Sequence, residues 1–159
     1  MKPYADSNFF PRLYLEIEAG SLEASLLAQP VVTGQLEPLP LTRLHRLEVL
    51  NAFEMMAFQS AWQGQHRITR EAAAIAQATF RDDCREQTFL RLCTPEESAV
   101  DQQYEELALR HTATRGFRTY DLLHVAQALT LGCDPFWSFD EKANALAALE
   151  GLTTRTAAA

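Results

Sequence analysis

Four acids, Asp6, Glu48, Asp121 and Asp140, stand where extended stretches give way to helical ones or within the first turns of a helix. In an open parallel sheet such junctions collect at the carboxyl edge of the strands, where ligands bind. Carboxylates gathered there repel one another and raise each other's pKa, so the cluster is costly unless a divalent cation neutralises it. Mg²⁺ suits the position, because it takes oxygen ligands, keeps several waters and shares its shell with substrate phosphates.

Taken singly, the acids have competing structural explanations. Asp6 could cap a helix or close an Asx turn, Asp121 could answer the dipole of the helix it opens, and Asp140 could cap the last helix. Glu48 is harder to dismiss. It shares a helical stripe with Leu44, Ala52 and Met55, so it is expected to point inward, where an unpaired carboxylate is expensive.

The elements that must position these residues follow from composition and periodicity. Ala and Leu make 46 of the 159 residues, and long stretches carry apolar residues at helical spacing. The chain reads as a strand at Lys2–Asp6, a turn at Ser7 and Asn8, a helix from Phe9 to about Glu18, and a break and helical restart at Gly20 and Ser21. Prolines and a glycine between Gln29 and Thr42 predict a loop with an extended piece at Pro38–Thr42. Helices are expected from Leu44 to about Trp62, from Arg70 to Arg85 behind a Thr69 cap, and from Glu97 to about Ala113. A further helix is expected from a Thr119 cap to Leu131, stopped by Gly132, and the last from Glu141 to Glu150. Thr88–Cys93 and Phe136–Phe139 read as strands, and a short extended segment follows Leu152. Such alternation implies an α/β fold with a mainly parallel sheet covered on both faces.

Composition bounds the function. With 47% apolar and 22% charged residues the chain can bury roughly 70% of its unfolded surface without staples. The longest apolar runs fall far short of a membrane span, so no membrane role is expected. Three cysteines without C-x-x-C spacing suit reduced thiols in a cytoplasmic protein. A net charge of −7, from 14 basic and 21 acidic residues, disfavours sequence-independent coating of a duplex. It still permits a nucleic-acid enzyme whose bound ions supply positive charge locally. Twelve of the bases are arginine, whose fork fits phosphates and carboxylates alike.

Beyond the acids, the segment Arg118-Thr-Tyr-Asp-Leu-Leu-His-Val-Ala-Gln-Ala-Leu-Thr-Leu-Gly132, then Phe136-Trp-Ser-Phe-Asp140, then Gly151-Leu152, resembles the PIN-domain ribonucleases, specifically the VapC-like toxins of bacterial toxin–antitoxin pairs. Leu41-Thr-Arg-Leu-His-Arg-Leu-Glu-Val-Leu-Asn-Ala52 and Tyr4-Ala-Asp-Ser-Asn8 are similar to the family's segments around its other acids. The resemblance spans nearly the whole chain. It implies a PIN-like three-layer α/β/α domain over 1–156, with a short mainly parallel twisted sheet and a tail at 157–159. It implies that Asp6, Glu48, Asp121 and Asp140 are catalytic and ligate one or two Mg²⁺ or Mn²⁺ ions, supported by Ser138 beside the fourth acid and by Asn8. The implied activity is endonucleolytic cleavage of RNA, and the implied partners are a cognate antitoxin and a second copy in a homodimer. The stretch 29–35 is longer than a minimal connection in the family pattern.

Other residues carry less. Arg43, Arg46, Arg115 and Arg118 flank the acids and could hold RNA phosphates or form ordinary salt bridges. Asp121-Leu-Leu-His124 and His45-Arg-Leu-Glu48 have acid/histidine spacing like that of di-iron bundles, which need two Glu-x-x-His motifs and two more glutamates. His124 is expected to pack near the sheet or hydrogen-bond locally, the alternative being a supporting role behind the metal-binding acids. Phe9, Phe10, Leu13, Leu15 and Ile17 spread widely around one helix, which predicts a groove lined by Phe9, Phe10, Leu13 and Tyr14 for an antitoxin segment. A silent RNA- or protein-binding module on the same fold is the alternative to an enzyme.

Overall fold

Helical periodicity punctuated by four short apolar stretches gives the element order. In a computed structural model describing residues 1–16, 20–64 and 68–155, these are β1 (Tyr4–Ala5), α1 (Phe9–Tyr14), α2 (Ser21–Val32), β2 (Leu39–Leu41), α3 (Arg43–Gln63), α4 (Arg70–Glu86) and β3 (Leu90–Leu92). There follow α5 (Glu97–Leu107), a π-helical turn (Ala108–Thr112), α6 (Ala113–Arg115), α7 (Thr119–Thr130), β4 (Phe136–Trp137) and α8 (Glu141–Leu149). Helix α1 ends at Tyr14, short of the expected Glu18, because the backbone turns extended at Leu15; Glu18 itself, the expected domain end at residue 156 and the tail 157–159 lie outside the described residues. The chain divides into two compact units, Ser7–Cys93, and Met1–Asp6 with Thr94–Ala159.

In the unit Ser7–Cys93, β2 pairs parallel to β3 in the register Leu39↔Leu90, Pro40↔Arg91, Leu41↔Leu92. Helix α1 packs against α2, α3 and α4, and α3 packs against α4. Phe9, Phe10, Val49, Phe53 and Phe80 form the fully buried centre. Phe10 sits edge-on to Phe80 and His45, and Tyr14 edge-on to Phe53 and Phe80, the geometry aromatic quadrupoles favour. The Tyr14 hydroxyl donates to Asp83. Burial, then the Asp83 carboxylate, push its ionisation well above the ordinary tyrosine range.

This unit corrects three expectations. Helix α2 runs through Pro30 to Val32 instead of stopping at Gln29. The proline falls in the last turn, where its missing N–H strands only the carbonyl of exposed Leu26, and Gly34 then reverses the chain at φ +75°. The buried stripe of α3 is His45, Val49, Phe53 and Ala57, so Leu44, Glu48 and Ala52 flank it and Met55 is 45% exposed. Glu48 therefore sits half-buried at the edge of the stripe and not in its centre. Finally, Phe9 and Phe10 are fully buried, so they do not line the expected open groove.

In the other unit, β1 pairs parallel to β4 in the register Tyr4↔Phe136 and Ala5↔Trp137, and Phe136 also bridges to Thr154. Helix α7 packs against α5 and α8 over a core of Tyr4, Val100, Leu107, Phe117, Leu122, Val125, Phe136 and Leu146. The described strands are two or three residues long and form two separate parallel ladders, shorter than the strands expected at Lys2–Asp6 and Thr88–Cys93. No described helix is long and apolar enough to cross a membrane.

Candidate active site

Parallel pairing brings β1 and β4 to an end on the same side, and the next residues carry the polar groups. The Asp6 N–H donates to the Trp137 carbonyl at 2.8 Å, closing the ladder. Ser138 Oγ then donates to Asp6 Oδ2 at 2.9 Å while accepting the Asp140 N–H at 3.0 Å. One buried hydroxyl thus joins the first and fourth acids. It bonds the backbone of Asp140 and the carboxylate of Asp6.

Asp140 is the N-cap of α8. Its Oδ1 accepts from the N–H groups of Lys142 at 2.8 Å and Ala143 at 3.2 Å, two of the donors that a helix start leaves orphaned. Its Oδ2 accepts from Arg118 Nη2 at 2.6 Å. Partial burial works against ionisation, but the Ala143 and Lys142 amides and the Arg118 guanidinium outweigh it and hold the Asp140 carboxyl below its ordinary value.

Asp121 occupies the third position of α7 and reaches back to the Arg118 N–H at 3.3 Å, so the helix is capped one residue before the expected Thr119. The Arg118 side chain grips the same carboxylate with Nε on Oδ2 at 3.1 Å and Nη2 on Oδ1 at 3.2 Å. Arg118 therefore bridges Asp121 and Asp140. Its hydrogen bond to Asp121, then the two carboxylate charges, hold the guanidinium above its usual value. Its side chain stays 65% exposed, whereas that of Asp121 is buried.

Residues three apart on α7 share a face, and the face carrying Asp121 also carries His124 and Gln127, all buried. His124 Nε2 lies 3.4 Å from Asp6 Oδ1, and His124 Nδ1 lies 2.8 Å from the Tyr4 hydroxyl, which in turn reaches Gln127 Oε1 at 3.0 Å. Sequence reasoning missed Tyr4 and Gln127, and expected His124 to pack near the sheet or hydrogen-bond locally, with a supporting role behind the acids as the alternative. The spacing of Asp121, His124 and Gln127 was the available signal.

Asp6, Asp121 and Asp140 thus belong to one hydrogen-bonded network in one unit, linked through Ser138 and Arg118. Glu48 lies on α3 of the other unit, as do exposed Arg43 and Arg46. His45, three residues before Glu48, serves the start of α3: its Nδ1 accepts the Thr42 N–H at 3.1 Å. Asn8 is the N-cap of α1 without a side-chain cap bond, and its carbonyl accepts from Arg12 Nη1 at 2.8 Å. Arg115 is exposed in α6.

The donor chemistry fits a hard divalent cation, since oxygen ligands predominate and Arg118 already stands as one positive charge shared by two of the carboxylates. Among the described residues no three acidic, histidine or cysteine side chains are already arranged around a common ion position. Arg118 takes up oxygens of Asp121 and Asp140 that such an ion would use.

No family model and no curated protein matches the chain. Solved structures do. The chain is similar to Mycobacterium tuberculosis VapC20, described as a sarcin–ricin loop cleaving toxin, at 19% identity and a TM-score of 0.60 over 91% of this chain and 94% of that one. It is also similar to VapBC-1 from nontypeable Haemophilus influenzae, at 13% identity and a TM-score of 0.54 over 98% of this chain and 97% of that one. The likeness shows the fold, a PIN-like α/β architecture with short parallel strands among helices.

Proposed function

We propose that the protein is a divalent-metal-dependent endoribonuclease, the toxin of a toxin–antitoxin pair, working as a single-domain PIN-like protein and as a homodimer in the cytoplasm. The observation that carries this reading is the joining of Asp6, Asp121 and Asp140 through Ser138 and Arg118 beside the ends of β1 and β4. VapC20's description as an RNA-loop cleaving toxin and the VapBC-1 likeness support the substrate class and an antitoxin partner. Glu48 is the fourth acid of the reading, by resemblance.

In this reading Asp6, Glu48, Asp121 and Asp140 would hold one or two Mg²⁺ or Mn²⁺ ions. When bound, such an ion supplies a water of lowered pKa and neutralises charge developing on the scissile phosphate. Ser138 fixes Asp6 relative to Asp140, and the α8 amides keep Asp140 ionised. Arg118, exposed and bidentate, is suited to transfer from carboxylate to phosphate, with Arg43 and Arg46 as further phosphate contacts.

Purified protein is expected to cleave single-stranded or stem-loop RNA with Mg²⁺ or Mn²⁺, to stop with EDTA, and to lose activity in Asp6→Asn and in Asp121→Asn. Undiminished cleavage by both variants overturns the assignment, and a fully active monomer in light scattering removes the dimer from it. One observation favours a second reading, a silent binding module: Asp140 and Asp121 already have structural work as a helix cap and as partners of Arg118. That reading expects RNA or protein binding without cleavage.

A further inference from the structure

The geometry points to His124 as the positioning residue for Asp6, held in turn by Tyr4, an inference that rests on the metal-dependent reading above. An aspartate carboxylate turns about a terminal torsion whose wells are broad, so a buried Asp acquires a defined plane only from donors around it. Ser138 Oγ donates to Asp6 Oδ2, and His124 Nε2 faces Oδ1.

Proton accounting places a hydrogen on that nitrogen. The Tyr4 hydroxyl carries one hydrogen and lies within bonding distance of both Gln127 Oε1 and His124 Nδ1. Given to Gln127, it leaves Nδ1 as the donor to the tyrosine oxygen, and a neutral imidazole then has no hydrogen on Nε2. Given to Nδ1, it requires the Gln127 amide to turn its NH₂ toward that oxygen. Nε2 faces a carboxylate, which accepts and cannot donate, so the second arrangement, with the neutral imidazole's hydrogen on Nε2, is the one that makes the contact attractive.

The rest of the chain is stiff. The Tyr4 ring stacks on Phe136 at 5.6 Å and 7°, through paired residues of the β1–β4 ladder, and meets the His124 ring edge-on at 5.9 Å. His124 is 1% exposed. The ladder thus sets Tyr4, Tyr4 sets the imidazole, and the imidazole sets Asp6. Outer partners of this kind orient metal ligands, and their loss typically weakens metal affinity about 10- to 100-fold.

The test is Mn²⁺ titration of the whole protein, read by the electron paramagnetic resonance of free Mn²⁺, for the wild type and for His124→Leu, His124→Gln and Tyr4→Phe. His124→Leu should bind Mn²⁺ about 10-fold or more weakly. His124→Gln, which keeps an N–H at similar reach, should recover most of the affinity, and Tyr4→Phe should lose a smaller part. Wild-type affinity in a folded His124→Leu overturns the inference. If that variant does not fold, Tyr4→Phe decides: weakened uptake supports the inference, and unchanged uptake overturns it. A wild type that takes up no Mn²⁺ overturns the metal reading itself, an outcome distinct from normal uptake that is indifferent to His124.

Discussion

Arg118 and Asp140 show how one pair of charges can serve both folding and a site. Asp140 caps α8 through Oδ1 and meets Arg118 through Oδ2, so the two oxygens do different work. Asp140→Asn keeps a good capping side chain and removes the charge. The folded-state carboxyl lies below its ordinary value, so its contribution is complete above about pH 4 and is lost as pH falls through the depressed folded value. Glu150, lowered by His111 and Arg110 against the effect of burial, adds to stability with the same sign and in the same direction of pH. Because Arg118 is largely exposed, the variant should lose no more than about 1 kcal/mol near neutrality. Urea unfolding from about pH 7 to about pH 3 checks this: the gap to wild type should close on acidification. A gap that stays constant means that charge is not its cause.

Element boundaries were legible where local chemistry sets them. Thr69 caps α4 by accepting the Ala72 N–H at 3.0 Å, and α8 begins where Asp140 can cap it. They were less legible where neighbours decide. Pro30 reads as a breaker, yet a proline in a last turn strands only one solvated carbonyl, and α2 continues past it. The π-helical turn after α5 has no compositional cue. On α3 two four-residue stripes compete in the sequence, and packing against α1 and α4 selects the one with Phe53. Phe53→Ala should therefore cost about 3–5 kcal/mol, and Met55→Ala within about 0.5 kcal/mol, by equilibrium unfolding. The reverse order would restore the stripe of Leu44, Glu48, Ala52 and Met55.

At the scale of the whole chain, alternation of apolar stretches and helices announced a parallel α/β fold, but not which strands pair. Strands β1 and β4 are partners, and that long-range pairing sets Asp6 beside Ser138, 132 positions further along the chain. The same distance hid the bonds from His124 to Tyr4 and Asp6. Three acids of the proposed site belong to the unit Met1–Asp6 with Thr94–Ala159, and Glu48 to the unit Ser7–Cys93. If these acids hold an ion, binding stabilises the native state by mass action. A ligand that binds only the folded state adds about 2.7 kcal/mol at a hundredfold excess over its dissociation constant. Melting temperature should therefore rise with Mn²⁺ in the wild type. In Glu48→Gln the rise should shrink at the same ion concentration, because a neutral amide replaces one anionic ligand and weakens the affinity on which the gain depends. An identical rise in that variant would assign the ion to the acids of one unit alone and remove Glu48 from the site.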